Sequence, residues 1–378
     1  MAPSYDWWSE RKDDLTALMQ GRESLYVYNE ETFNETLFDL LSIEAVDGLY
    51  YPVKANPNIK ILKKVYDLDA GFMCVSSVEI NYLLQHLPKT TPRILFMPEF
   101  TAPEDYELAF NCGATIILSS ILPVKTWPNI FQDRVIFISI DIETDDSAHK
   151  TGIGFDDIKS VANILTNFDV KVSGLHIQSK KRTGQFPDTT KIVPSLEKIP
   201  KYFPDADILC MGRGMGIILN QDKGTFDIDA TWHSLTDIRD IYPDYQLWIE
   251  PGNLLISHAG VLLTRVTEAK LKGEICSVII NDGMEILAGS VCYGSHHEIV
   301  NLSGSNENQG KLIHIIGSDT NYDNTICCIK KISPVKKGNI LLISNAGAYS
   351  PDTLLKSQLR NPDSEQYLRA RRMCQVKL

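Results

Sequence analysis

The sequence predicts an α/β protein: a (β/α)8 barrel of the TIM type followed by a smaller antiparallel β-domain. Two observations predict the barrel. Short apolar runs of β type recur between Leu49 and Glu250, and amphipathic helical stretches separate them. Such continuous apolar runs are what parallel strands covered on both faces require. A third observation predicts the second domain. Beyond Glu250 apolar runs still follow one another, without helices between them, the pattern of an antiparallel sheet.

The barrel runs are LYYPV (49–53), FMCVS (72–76), RILFMP (93–98), TIILSS (115–120), RVIFISI (134–140), VKVSGLHI (170–177), DILCM (207–211) and YQLWIE (245–250). Eight β/α units within about 200 residues indicate a closed barrel, not an open sheet. Ser76-Ser77-Val78-Glu79 has the form of a capping box ahead of Ile80, Leu83, Leu84 and Leu87 at helical spacing. Thr101-Ala102-Pro103-Glu104 has the same form before a helix around Tyr106 to Phe110. The later runs are 260–271, 276–281, 311–317, 325–332 and 339–349. The expected division is therefore a barrel at 26–255 and a β-domain at 256–378, with residues 1–25 packed alongside.

Bulk composition narrows the function classes. The chain has 378 residues and a formal net charge of −11, the opposite of a nucleic-acid footprint. No apolar run reaches the length of a membrane span, and "MAPSYDWWSERKDD" lacks the basic-then-apolar form of a secretory signal. A cytoplasmic protein is expected, with neither nucleic acid nor membrane as partner. The cysteines at 74, 112, 210, 276, 292, 327, 328 and 374 show no zinc-finger spacing. They are expected to be reduced thiols, mostly buried, and no metal is expected.

Barrels of this type work at the carboxyl ends of their strands, often with a phosphate held after the seventh and eighth. In "YYPVKANPN" the first strand meets an Asn-Pro turn, and Lys54 stands at the junction. The seventh strand runs into "MGRGMG" (211–216), whose Gly212, Gly214 and Gly216 let backbone amides approach a phosphate while Arg213 adds charge. The eighth ends in "IEPG", with Glu250 at the rim. Each feature alone is weak. Together a lysine for an imine, a phosphate cup and an acid for a ring nitrogen are the needs of pyridoxal 5'-phosphate.

At this point a resemblance can be stated. "YPVKANPN", "GLHIQS", "MGRGMG", "IEPGNLL", "YGSHHEIVNLS" and "NAGAYS" fall in the order and spacing of the fold-type III pyridoxal-phosphate decarboxylases. The chain is most similar to the diaminopimelate decarboxylases, including the decarboxylase half of bifunctional aspartate kinase/diaminopimelate decarboxylases; "YDWWSERKDDL" and "GSHHEIVNLS" carry that closer likeness. A protein without the kinase half is expected. The resemblance implies a barrel of the alanine-racemase type and a head-to-tail homodimer with shared active sites. It matches Lys54 to the imine-forming lysine and Glu250 to the partner of the pyridine nitrogen. Gly212, Gly214 and Gly216 match the phosphate-binding glycines, and Tyr349 matches a tyrosine that touches the phosphate.

The sequence also departs from that family. The ring-stacking histidine is replaced by Gln178, and the phosphate-binding serine lines up with Lys181. Arg213 stands for the middle glycine of the cup and Asn253 for the arginine usual after "EPG". On one reading charge has been relocated around the same anion; on the other the site has drifted. The family's "GPxCES", supplied by the partner subunit, aligns with "GSDTNY" (317–322), so Thr320 replaces an acidic thiol and Asn321 a glutamate. Gly289 replaces a carboxylate-gripping arginine. The function expected is that of a pyridoxal-phosphate decarboxylase-like lyase in amino-acid metabolism. Its substrate is a small amino acid or a modified or carrier-bound derivative, not meso-diaminopimelate. The alternatives are another reaction on the same cofactor, such as racemisation or elimination, and a degenerate paralogue with a structural role.

Overall fold

The computed structural model describes residues 6–87, 93–99, 101–141, 152–178, 199, 201–212, 228–272, 275–281, 297–304, 311–316, 325–349 and 365–368. The chain forms two compact units. One joins Met1–Phe38 to Asn253–Leu378, and the other is Asp39–Gly252.

In chain order the strands begin with β1 (Ser24–Asn29) in the first unit. In the second unit come β2 (Gly48–Pro52), β3 (Gly71–Cys74), β4 (Ile94–Phe96), β5 (Thr115–Leu118), β6 (Val135–Asp141), β7 (Ile153–Gly154), β8 (Lys171–Gln178), β9 (Ile208–Met211) and β10 (Gln246–Ile249). All their pairings are parallel. The order β5-β4-β3-β2-β10-β9-β8-β6 is closed by a further β5–β6 pairing, and the two-residue β7 rides on β6. Each apolar run named from the sequence is a strand of this ring, so the barrel expectation holds.

Why the ring closes tightly is visible in its interior. Tyr50, Met73, Leu95, Ile117, Phe137 and Cys210 form one buried cluster, with Ile208 and Trp248 packed against it. These come from every barrel strand except β8, and only the inside of a barrel brings so many strands together. Tyr50 and Trp248 stack with ring centroids 4.7 Å apart. Strand β8 contributes a gap. A Cβ on Gly174 would lie 2.5 Å from Phe137, so the missing side chain is what admits that ring. Burying each large apolar side chain here is worth about 1.5–3 kcal/mol.

The connecting helices follow local chemistry. Ser76 caps the helix Ser77–His86: its Oγ accepts from the Glu79 amide at 3.3 Å, while Glu79 Oε2 accepts from Val75 N–H at 2.7 Å. The expected second box is corrected. The helix Pro103–Asn111 has Ala102 at its N-cap, and the Thr101 hydroxyl donates to the Asp105 carboxylate instead. Pro103 needs no amide partner at the first helical position, so the cap moves one residue inward.

The first unit holds β1 with β11 (Gly260–Lys272), β12 (Ile275–Ile280), β13 (Ile299–Asn301), β14 (Lys311–Ile316), β15 (Thr325–Ile332), β16 (Ile340–Ile343) and β17 (Glu365–Leu368). The sheet runs β13-β16-β11-β12-β14-β15, with β1 paired to β11 and β17. It is mixed where a purely antiparallel sheet was expected: β12 pairs β14 in parallel, as does β1 with β17. The N-terminal residues are part of this unit. Leu15, Leu18 and Met19 pack with Leu25, Val27, Val261, Leu263 and Leu342 in one buried cluster. The unit boundaries fall at 38/39 and 252/253, because β1 is an antiparallel partner of β11.

Candidate active site

Lys54 sits in the single turn Val53–Ala55 that follows β2. The Asn-Pro-Asn sequence ends the strand by satisfying its own backbone. The Asn56 side chain accepts from the Asn58 amide at 3.0 Å, and Asn58 caps the next helix by accepting from the Lys60 amide at 3.0 Å. Tyr51 hydroxyl donates to the Asn56 carbonyl at 3.2 Å, so a buried clasp fixes the turn that carries Lys54. Its electrostatic neighbour is Glu79. Burial raises the Glu79 carboxyl above its usual range, opposed by the Val75 amide and the Lys54 ammonium. The sequence had marked Glu79 only as half of a cap.

Glu250 follows β10, the neighbour of β2 in the ring. Alternation along the strands explains its company. In β6, β8, β9 and β10 the inward positions Phe137, Gly174, Ile208 and Trp248 are followed two residues later by Ser139, His176, Cys210 and Glu250, and side chains two apart share a face. Register aligns Ser139 with His176 and His176 with Cys210. The barrel interior thus turns from apolar to polar at its carboxyl end.

Three of these residues converge. The Cys210 thiol donates to Glu250 Oε1 at 3.3 Å. His176 Nε2 lies 3.3 Å from the same oxygen, close enough for an ion pair yet outside hydrogen-bond alignment, so Nε2 has no hydrogen-bond partner. The other ring nitrogen, Nδ1, is 3.0 Å from Ser139 Oγ, which holds the imidazole in place. The Glu250 side chain is 8% exposed. Burial, then the Glu250 charge and hydrogen bond, push the Cys210 thiol well above the ordinary thiol value. His176, Cys210 and Glu250 present donor atoms within 4.8 Å of one another. Neither His176 nor Cys210 was singled out as a site residue from the sequence. The usable clue was the step of two along each strand from an inward apolar residue.

The remaining expected residues divide three ways. The Gly212 amide donates to the Ile177 carbonyl at 2.9 Å, extending the β8–β9 ladder. A Cβ there would lie 2.2 Å from His176 Nε2, so glycine at 212 is what leaves room for that ring. Gln178 is the last residue of β8. Tyr349, in the other unit, is 7% exposed with φ +52°, a left-handed conformation that costs a non-glycine residue of order 1 kcal/mol or more. Its segment is tied down by Ala346 and Gly347 amides donating to Gly260 and Ser257 carbonyls at 2.9 and 3.0 Å. Asn253, also in that unit, is buried. Lys181, Arg213, Gly214, Gly216, Gly289, Thr320 and Asn321 lie outside the described residues. Of the thiols, Cys74 and Cys210 are buried and free, while Cys112 and Cys276 are free and partly exposed.

A family model described as pyridoxal-dependent decarboxylase, C-terminal sheet domain, matches residues 25–347. The chain belongs to the pyridoxal-dependent decarboxylases. Among its relatives, the diaminopimelate decarboxylase of Neisseria meningitidis is 25% identical over 374 residues, covering 90% of this chain and 88% of that protein. The diaminopimelate decarboxylase of Deinococcus radiodurans is 22% identical over 333 residues, covering 86% and 84%. The crystal structure of the Paramecium bursaria Chlorella virus arginine decarboxylase bound to agmatine superimposes with a TM-score of 0.79 at 16% identity, covering 95% of this chain and all of that one. This pyridoxal-dependent decarboxylase is therefore a fold-type III carboxy-lyase close to the diaminopimelate decarboxylases. Among the described residues no helix is long and apolar enough to cross a membrane.

The described residues fit pyridoxal phosphate. A lysine ends one strand, and a largely buried carboxylate ends its ring neighbour. One oxygen of that carboxylate is held from behind, and no described group hydrogen-bonds to the other, Oε2.

Proposed function

We propose that this chain decarboxylates an amino acid, or a modified or carrier-bound derivative, other than meso-diaminopimelate. One observation carries the reading: Lys54 and Glu250 end paired strands of the ring, with Glu250 fixed by Cys210. In this reading Lys54 holds the cofactor through its amine, and Glu250 holds the ring nitrogen through a charge-assisted hydrogen bond. Bound there, pyridoxal phosphate supplies an electron sink for the bond that loses carbon dioxide. Gly212, Gly214 and Gly216, with Arg213, Lys181 and Tyr349, are the residues assigned to the phosphate in this reading; the Gly212 amide donates to the Ile177 carbonyl. Gln178 replaces the ring-stacking histidine, and Thr320 stands where a proton donor is needed. A homodimer sharing its active sites completes the reading, because the 317–322 segment aligns with the motif that the resemblance assigns to the partner subunit.

The substrate part rests on what the sequence lacks. A site acting on one end of meso-diaminopimelate must grip the other. Gly289 and Asn321 stand where an arginine and a glutamate would do so. Losing such a charge-assisted partner costs about 1.5–3 kcal/mol, roughly ten- to a hundredfold in affinity. Threonine for an acidic thiol adds a separate penalty at protonation, where a positioned acid contributes about 10² or more.

The test begins with the purified protein and pyridoxal phosphate. Visible absorption and a borohydride-stable adduct on the Lys54 peptide are expected, and both should vanish in Lys54→Ala. Carbon dioxide release is then screened by mass spectrometry across amino acids and their derivatives. A protein that takes up no cofactor sinks the reading and favours a structural paralogue. Turnover of meso-diaminopimelate to lysine at the rate of a genuine diaminopimelate decarboxylase sinks the substrate part alone.

A further inference from the structure

Resting on that reading, we infer that Cys210 is a positioning residue for Glu250: its thiol proton, given to Oε1, holds the carboxylate turned so that Oε2 is left for the cofactor ring nitrogen. The geometry is one-sided. Cys210 Sγ and His176 Nε2 both stand 3.3 Å from Oε1, and no described group hydrogen-bonds to Oε2. His176 forms a wall behind the carboxylate. Its Nδ1 is held by Ser139 at 3.0 Å, and its ring fills the space that Gly212 leaves.

The chemical consequence follows from where a shared proton rests. A carboxylate facing an aromatic nitrogen shares one proton with it. In general, a hydrogen bond donated to one oxygen of a carboxylate draws charge from the other, so a proton shared there rests more on the nitrogen. Without the donor, that shared proton rests further from the nitrogen. The thiol suits the task because it stays protonated. Burial and the Glu250 charge both disfavour a thiolate.

The experiment uses holoprotein reconstituted with pyridoxal phosphate labelled with nitrogen-15 in the ring. In wild type the ring resonance should be that of a protonated nitrogen. Cys210→Ala should move it toward the neutral value and weaken cofactor binding about tenfold, equivalent to about 1.4 kcal/mol. Cys210→Ser retains a donor and should restore both. Cys210→Val fills the volume without a donor and should behave as the alanine variant does, which separates the proton from the packing. A merely structural thiol would alter unfolding midpoints while leaving the resonance unmoved. An unmoved resonance in the alanine and valine variants, with wild-type affinity, overturns this inference and leaves the functional reading standing. A wild type that binds no cofactor overturns both. A cobalt(II) charge-transfer band that requires Cys210 and excludes the cofactor also overturns it, since the sulfur would then be a metal ligand.

Discussion

Gly212→Ala separates two reasons for a glycine at the end of β9. The backbone there is not left-handed, so alanine is conformationally permitted. If the glycine served only to let a phosphate approach, the substitution would stabilise the cofactor-free protein by about 0.4–1 kcal/mol through the unfolded chain. The structure argues the reverse. The new Cβ would lie 2.2 Å from His176 Nε2 and 2.6 Å from Cε1, against the ~3.5 Å or more that carbon contacts need. The ring cannot readily yield: His176 is 1% exposed, pinned by Ser139 on one side and facing Glu250 on the other. Overpacking of this kind costs about 1–3 kcal/mol, which exceeds the gain, so net destabilisation is expected. A double-mutant cycle with His176→Ala isolates the clash, because the ring that collides is then gone. Urea unfolding of the four apoproteins should give a coupling of about 1 kcal/mol or more. Additive effects, or a Gly212→Ala protein more stable than wild type, would refute the reasoning.

Three further outcomes follow from particular contacts. His258 is fully buried and pushed down to about 4 from 6.5 by desolvation; its Nε2 meets Thr36 Oγ1 at 2.8 Å, and that hydroxyl donates to the Thr32 carbonyl. The unfolded chain therefore binds a proton that the fold refuses. About 3 kcal/mol of stability, present above pH 6.5, should be lost as pH falls toward 4, and His258→Gln should flatten that slope in urea melts. Glu79→Ala should cost about 1–3 kcal/mol by stripping the Val75 amide of its acceptor, while Glu79→Gln, which keeps an oxygen, should cost less in the same assay. Removing Arg213 or Lys181 should weaken cofactor binding about tenfold or more if charge has been relocated around the phosphate; wild-type titration curves for both would reject relocation.

The barrel was legible because its strands carry their burial in consecutive residues. Each apolar run, from 49–53 to 245–250, became a strand within a few residues of its expected ends. The strand-end positions of Lys54 and Glu250 were legible for the same reason, since chain position alone puts them there. What stayed hidden depends on pairing. Cys210 and Glu250 are 40 residues apart and His176 and Ser139 37 apart, and only closure with its register brings them together. Cys210 therefore read as one more buried thiol. The parallel pairing of β12 with β14 was equally invisible, because apolar alternation reports a buried face and not strand direction. Thr101 shows a local limit: a hydroxyl, a proline and an acid at box spacing fit two caps, and the one chosen depends on where Pro103 starts the helix.

The matches and departures are not scattered evenly, and the barrel explains why that matters. Lys54, Cys210, Glu250 and the His176 wall stand on or directly after ring strands whose inward layer is fixed by Tyr50, Phe137 and Trp248. Moving any of them means repacking that layer. Thr320, Asn321 and Gly289 lie well beyond the last barrel strand in sequence, and Lys181 and Arg213 follow strand ends. In the proposed enzyme the electron-sink half of the site, a lysine and a held carboxylate, is tied to the fold itself. The half that would recognise a substrate and return a proton is where the sequence departs from the family it resembles. Decarboxylation of a different amine-bearing acid is the reading this division supports, because the carboxylate that would hold the ring nitrogen is itself held, by a thiol aimed at its Oε1.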